Sequence, residues 1–118
     1  MNDIKLMNKA ADNIRILAAS MVEKAKSGHP GGAMGGADFV NVLFSEFLVY
    51  DPKNPAWEGR DRYFQDPGHM SPMLYSVLAL AGKFTIDELK EFRQWGSVTP
   101  GHPEVNVMRG IENTSGPL

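Results

Sequence analysis

The stretch SGHPGGAMGG, Ser27 to Gly36, places five glycines and one histidine in ten positions. So many residues without a side chain cannot form an ordinary amphipathic element; they mark a place where backbone comes close to backbone or to a ligand. Ahead of it, Met7, Ala11, Ile14, Leu17, Met21 and Ala25 recur at three- and four-residue steps, with Lys9, Asp12, Asn13, Arg15, Glu23 and Lys24 between them. This periodicity predicts an amphipathic helix over 4–25. Lys24 and Lys26 complement its negative carboxyl end, and Gly28 is the expected left-handed residue that closes it. The glycine stretch is then a helix-to-helix junction.

Beyond the junction, ADFVNVLFSEFLVY, residues 37–50, carries Phe39, Val40, Leu43, Phe44, Phe47 and Leu48 on nearly every side. It predicts a helix buried all round, packed partly against something this chain does not contain. DPKNPAWEG, 51–59, reads as a loop, and RDRYF, 60–64, as a short strand. Ser71 is the expected N-cap, with Pro72 at the first helical position, of an apolar helix over 73–81 closed by Gly82. Thr85 and Glu88 have the spacing of a capping box for a helix over 86–95, stopped by Gly96. The remainder has the turn residues of an irregular segment, with one short strand expected near 105–108.

The chain has 118 residues, enough for one core, and a net charge of −2 with basic and acidic residues interspersed. That balance excludes a nucleic-acid face, which needs clustered Lys and Arg. With no cysteine there is no disulfide framework, thiolate metal site or cysteine nucleophile, and a reducing compartment, the cytoplasm, is expected. No run approaches the ~20 apolar residues of a membrane span, and the N-terminus lacks the build of a signal peptide.

Each of the three histidines follows a glycine: Gly28-His29, Gly68-His69 and Gly101-His102. Composition alone would produce this about once in a thousand sequences. Pro30 and Pro103 follow two of them, so a flexible residue precedes the ring and a rigid one follows it. One reading makes these imidazoles turn residues that cap helices. Another brings them together in one cavity as neutral donors and acceptors for a substrate with hydroxyls, a carbonyl and phosphate. A three-histidine zinc site is a third reading, weakened by separations of 40 and 33 residues in glycine loops; no metal ligand is assigned. The glycines likewise fit either anion binding through backbone N–H groups or close helix packing through Gly31, Gly32, Gly35 and Gly36. They match neither GxGxxG nor a P-loop.

SGHPGGAMGGAD, DRYFQDPGHMSPMLYS, FRQWGSVTPGHPE and GIENTSGPL, in this order and spacing, resemble the N-terminal part of transketolase, the thiamin-diphosphate enzyme that moves two-carbon ketol units between sugar phosphates. The resemblance covers essentially the whole chain. It implies an α/β fold, with residues 1–118 an incomplete, mostly helical N-terminal portion of a doubly wound thiamin-diphosphate-binding domain. It also implies that His69 hydrogen-bonds the cofactor diphosphate, that His102 contacts the hydroxyl on the donor's first carbon, and that His29 lies near the oxygen undergoing proton transfer. Gly116, through its carbonyl, and Leu118, beside the thiazolium, match cofactor contacts. Thiamin diphosphate and magnesium are the implied cofactors, and sugar phosphates, the remaining transketolase domains and a second subunit the implied partners.

The sequence departs from the family at Met70, where Gly-His-Gly-Ser is usual, which suggests a narrower pocket. The family's metal-binding Gly-Asp-Gly motif with its downstream asparagine, and the glutamate that activates the aminopyrimidine, are not among these 118 residues, so the chain is expected to be inactive alone. Within enzymes the alternatives are a dihydroxyacetone synthase or a deoxyxylulose-phosphate synthase relative. In a different class is a cofactor-free helical interaction subunit docking through 37–50.

Overall fold

The longest apolar stripe in the sequence forms the longest helix. In the computed structural model, which describes residues 2–116, α1 runs over Ile4–Ala25, and Ala11, Ile14, Ala18 and Met21 are buried along one face. The Asp3 carboxylate caps its start by accepting from the Leu6 N–H at 3.0 Å. The left-handed closing residue is Lys26 (φ 52°), two residues earlier than expected, where the ammonium pairs with Glu23. Gly28 also has positive φ but serves the loop beyond.

The glycine stretch is itself helical. Pro30 opens α2, Pro30–Gly35, and Gly36 joins it to α3, Ala37–Val42. The expected single helix over 37–50 is shorter: after Val42 the turn widens to a π-helical one, Leu43–Phe47, and Leu48 is extended. Nor is it buried all round. Val40 and Phe44 enter the core, while Phe39 is 66% and Phe47 70% exposed.

The helix with the buried circumference is α4, Ser71–Leu80, in which every residue from Ser71 to Leu78 is buried. It lies against α1, α2 and α3 and is enclosed on its remaining side by α5, Ile86–Lys90, and by the loop through residues 99–103. Tyr75, 0% exposed, packs against Phe84 and Phe92 at ring separations of 5.4 and 6.3 Å. Ser71 is not the N-cap. It lies inside the helix, preceded by a 3-10 turn over Gly68–Met70.

α5 opens with the expected capping box: Thr85 Oγ1 accepts from the Glu88 N–H at 3.1 Å, and Glu88 Oε2 accepts from the Thr85 N–H at 2.9 Å. It ends at Lys90 rather than near Trp95. The Thr99 hydroxyl donates to the Glu88 carbonyl, and the Arg93 N–H turns out to the Thr99 carbonyl, so the ladder is diverted from the next helical turn. The strands expected at 60–64 and 105–108 are not formed. The former touches Val49 through a single backbone bond from Asp61, and the latter gives only the bridge Asn106–Ile111 around a 3-10 turn over Val107–Arg109. Among the described residues no strand occurs, and no helix is long and apolar enough to cross a membrane.

Two ion pairs fasten the C-terminal segment. The largely buried Arg60 and Glu112 meet at 2.6 and 2.9 Å, and Arg109 forks onto Glu88 with both contacts at 2.8 Å. The Arg109 fork and the Thr85 N–H hold the Glu88 carboxyl down to about 2. A depressed carboxyl stabilises the fold above its unfolded value and loses that contribution as pH falls through its folded one. Glu88→Gln should therefore lower stability by about 2 kcal/mol at pH 7 and flatten the loss of stability between pH 4.5 and 2. Urea midpoints of both proteins across that window check this; Glu112, also depressed by its arginine, adds to the slope that remains.

The exposed Phe39 and Phe47 are expected to make the 118-residue chain self-associate. Light scattering after size exclusion should show dimers or larger species that dissociate in Phe39→Ser/Phe47→Ser.

Candidate active site

Three loops carry the histidines, and in each the residue before the imidazole is a glycine packed against something. A Cβ on Gly28 would lie 3.1 Å from Val22 and 3.2 Å from Phe92. One on Gly68 would strike the backbone of Ser115 and Gly116 at 2.7 Å, and one on Gly101 would meet Arg93 Nε at 2.6 Å. The glycine before each histidine is therefore fixed by close approach, and the loops are drawn together through these contacts.

α4 anchors the third loop. The Ser71 hydroxyl donates to the Gly101 carbonyl and the Tyr75 hydroxyl to the Pro100 carbonyl, both at 2.6 Å. Burial pushes the Tyr75 phenol well up, so it remains a donor throughout the neutral range. The Ser115 N–H donates to the Pro103 carbonyl at 3.0 Å, which brings Gly116 onto the His102 ring; a Cβ on Gly116 would lie 2.4 Å from it.

The imidazoles meet as a result. His29 and His69 have ring centroids 4.7 Å apart, tilted at 52°. His102 is close enough for both to act on its charge. Burial first, then the Arg93 cation and the other two imidazoles, hold its pKa below the ordinary histidine value. His29 is exposed and the other two are half-buried, so the cluster opens on one side to solvent. The helix-capping reading fails for His29: it occupies the N-cap position of α2, yet its side chain makes no capping bond. Among the described residues no three His, Asp or Glu side chains are disposed to hold a metal ion.

Gly116 lies at this cluster, whereas Leu118 falls outside the described residues. Sequence reasoning missed Arg93, whose backbone is left-handed (φ 60°) and whose Nη1 donates to the Ser27 hydroxyl at 3.0 Å, between the first and third loops. Nothing in its sequence neighbourhood signals this, because the contacts are with residues 66 positions back and 8 ahead. A partly open pocket lined by Phe44, Tyr63, Leu78 and Arg60 lies elsewhere and contains no histidine.

The family described as transketolase, thiamine diphosphate binding domain, matches residues 6–118. The chain belongs to this transketolase family. It is 53% identical over 114 residues to the transketolase of Buchnera aphidicola subsp. Baizongia pistaciae, covering 96% of this chain and 17% of that protein. The crystal structure of the Campylobacter jejuni transketolase superposes with a TM-score of 0.91 at 47% identity, over 99% of this chain and 18% of the other. A Pichia stipitis transketolase solved in complex with sedoheptulose-7-phosphate gives 0.89 at 44% identity, over 95% and 17%. The chain thus spans about a sixth of the length of the transketolases it matches, and it is the mostly helical N-terminal portion of their cofactor-binding domain.

Within this transketolase portion, Met70 packs on the glycine stretch. Its side chain lies against α2, where a Cβ on Gly32 would meet Met70 Cγ at 2.9 Å and one on Gly36 would meet Met70 Cε at 3.3 Å and Met73 Sδ at 2.6 Å. Close packing accounts for Gly32 and Gly36 but not for Gly31 and Gly35, which face open space. Gly32→Ala should destabilise the chain by about 1–3 kcal/mol through overpacking, and most of that loss should vanish when Met70→Gly is also present. Thermal melts of the two single variants and the double variant give the coupling.

Proposed function

We propose that the chain is the N-terminal part of a thiamin-diphosphate-dependent transketolase, an enzyme that transfers a two-carbon ketol unit between sugar phosphates. The observation that carries this reading is the convergence of His29, His69 and His102 from three separate Gly-His loops. The residues fit the cofactor. His69 sits in the 3-10 turn immediately before α4, a ten-residue helix whose positive end favours an anion, and its ring N–H would donate to a diphosphate oxygen. Gly116, stacked on His102 and against Gly68, is assigned as a further cofactor contact through its carbonyl. When bound, thiamin diphosphate supplies the carbanion chemistry that breaks and remakes the carbon–carbon bond.

The chain's own residues orient the substrate and move protons. His102, held below the usual histidine pKa, is neutral at pH 7 and can hydrogen-bond the hydroxyl on the donor's first carbon. His29, exposed beside His69, is assigned to hold or pass a proton at the substrate's carbonyl or aldehyde oxygen. Leu118 is assigned to the apolar surround of the thiazolium.

Magnesium, the second subunit and the remaining catalytic groups belong, in this reading, to the part of a transketolase that this chain does not span. Residues 1–118 are then an incomplete piece of the cofactor-binding domain. Sugar phosphates as substrates are supported by the Pichia stipitis complex.

In the complete enzyme, His102→Ala should lower kcat/KM for donor ketoses by roughly 10- to 1000-fold, an unmet polar contact costing about 1.4–4 kcal/mol, with cofactor affinity little changed. Steady-state kinetics beside a cofactor titration check this. Equal losses in both would overturn the assignment of His102.

A further inference from the structure

Arg93 has a left-handed backbone, φ 60°, which is unfavourable for any residue with a Cβ and free for glycine. Its N–H is pinned to the Thr99 carbonyl at 3.1 Å, which forces the turn. An arginine in such a place is informative when its side chain has a use. The guanidinium lies 5.6 Å from the centroid of the buried Phe92 ring and reaches between two loops. Nη1 donates to Ser27 Oγ at 3.0 Å, two residues before His29. Nε is buried, lies 2.6 Å from where a Cβ on Gly101 would be and 3.7 Å from one on Gly28, and has no acceptor among the described residues. Both glycines leave room for this one side chain. It also lines, with His102 and Glu104, an open groove that runs on to the fully exposed Trp95.

We propose that Arg93 is a positioning residue for the transfer reaction: it ties the loop of His29 to the loop of His102 and places a permanent positive charge beside the His102 ring. This rests on the functional reading given above for these two histidines. The charged and titratable groups around His102 are Arg93, His69 and His29, with Glu104 in the same groove. Of these only Arg93 is positive at every working pH, so it is the fixed charge that adds to the burial of the ring in favouring neutral His102. A lysine would keep the charge without the planar fork; a glutamine would keep much of the length without the charge.

The test uses the complete enzyme with Arg93→Gln and Arg93→Lys. Selectively labelled histidine gives the His102 titration by NMR, assigned by its loss in His102→Gln, and steady-state kinetics give donor kcat/KM. Arg93→Gln should titrate His102 at higher pH and lower donor kcat/KM about tenfold at neutral pH. Arg93→Lys should return the titration to its original position and recover most of the activity. An unmoved titration in Arg93→Gln, or equal behaviour of the two variants, overturns the proposal. A raised titration with unchanged donor kcat/KM upholds the hold of Arg93 on His102 and overturns instead the reading of His102 as a donor contact. Should Arg93→Gln fail to fold, Arg93→Lys decides alone: a titration at the original pH supports the fixed charge, and an upward shift overturns it.

Discussion

Three loops can meet at one point only if backbone passes close to backbone, and the whole site depends on that steric condition. Gly68 lies on Ser115 and Gly116, Gly116 lies on the His102 ring, Gly101 on the Arg93 side chain and Gly28 on Val22 and Phe92. At Gly68 the obstruction is backbone, which cannot rotate away, so a methyl group there would have to separate the second loop from the C-terminal segment. At Gly28 and Gly116, positive φ adds a second reason for glycine. The imidazoles are held at their separations by what is missing from the residues beside them.

The contacts are seated on α4, the most buried helix. A helix buried from Ser71 to Leu78 has no solvent-facing side along that span, and two of its hydroxyls, those of Ser71 and Tyr75, are directed outward to the 100–101 carbonyls. Each such bond contributes about 1 kcal/mol net, but leaving a buried carbonyl unpaired costs more, so the loop is specified as well as stabilised. The turn at Arg93 follows from the same logic. Thr99, fully buried, takes the Glu88 carbonyl with its hydroxyl and receives the Arg93 N–H with its own carbonyl, which ends α5 early and sends the chain back toward α4.

What the sequence disclosed was local or chemically distinctive. The stripe of α1 and the Thr85–Glu88 box are each set by residues within a few turns of one another, and both formed. The Gly-His pairs were legible because composition makes them improbable, and the resemblance assigned them roles; the structure adds that the His29 and His69 rings lie 4.7 Å apart and that both act on the charge of His102. The missed features depend on distant partners. The length of α5 is decided by Thr99, the exposure of Phe39 and Phe47 by which neighbours surround residues 37–47, and the burial of α4 by four elements contributed from both sides of it in sequence. An apolar run such as 37–50 looks buried on every side when read alone, because periodicity reports that a face is apolar and not what covers it.

The glycine stretch separates these two kinds of information within ten residues. Three glycines in the six residues of α2 disfavour a helix by about 1 kcal/mol each relative to alanine, so tertiary contact must hold it in shape. Ala33, fully buried, and the thioethers of Met70 and Met73 against Gly32 and Gly36 supply that contact on one side. Met70 is accommodated by glycine on the facing helix: volume present on one element is matched by volume absent from its neighbour. Gly31 and Gly35 have no such partner within the chain. The two pairs alternate around the helix, one facing inward to a packing contact already made and the other outward, so the stretch combines a requirement of this fold with one that the fold alone does not impose.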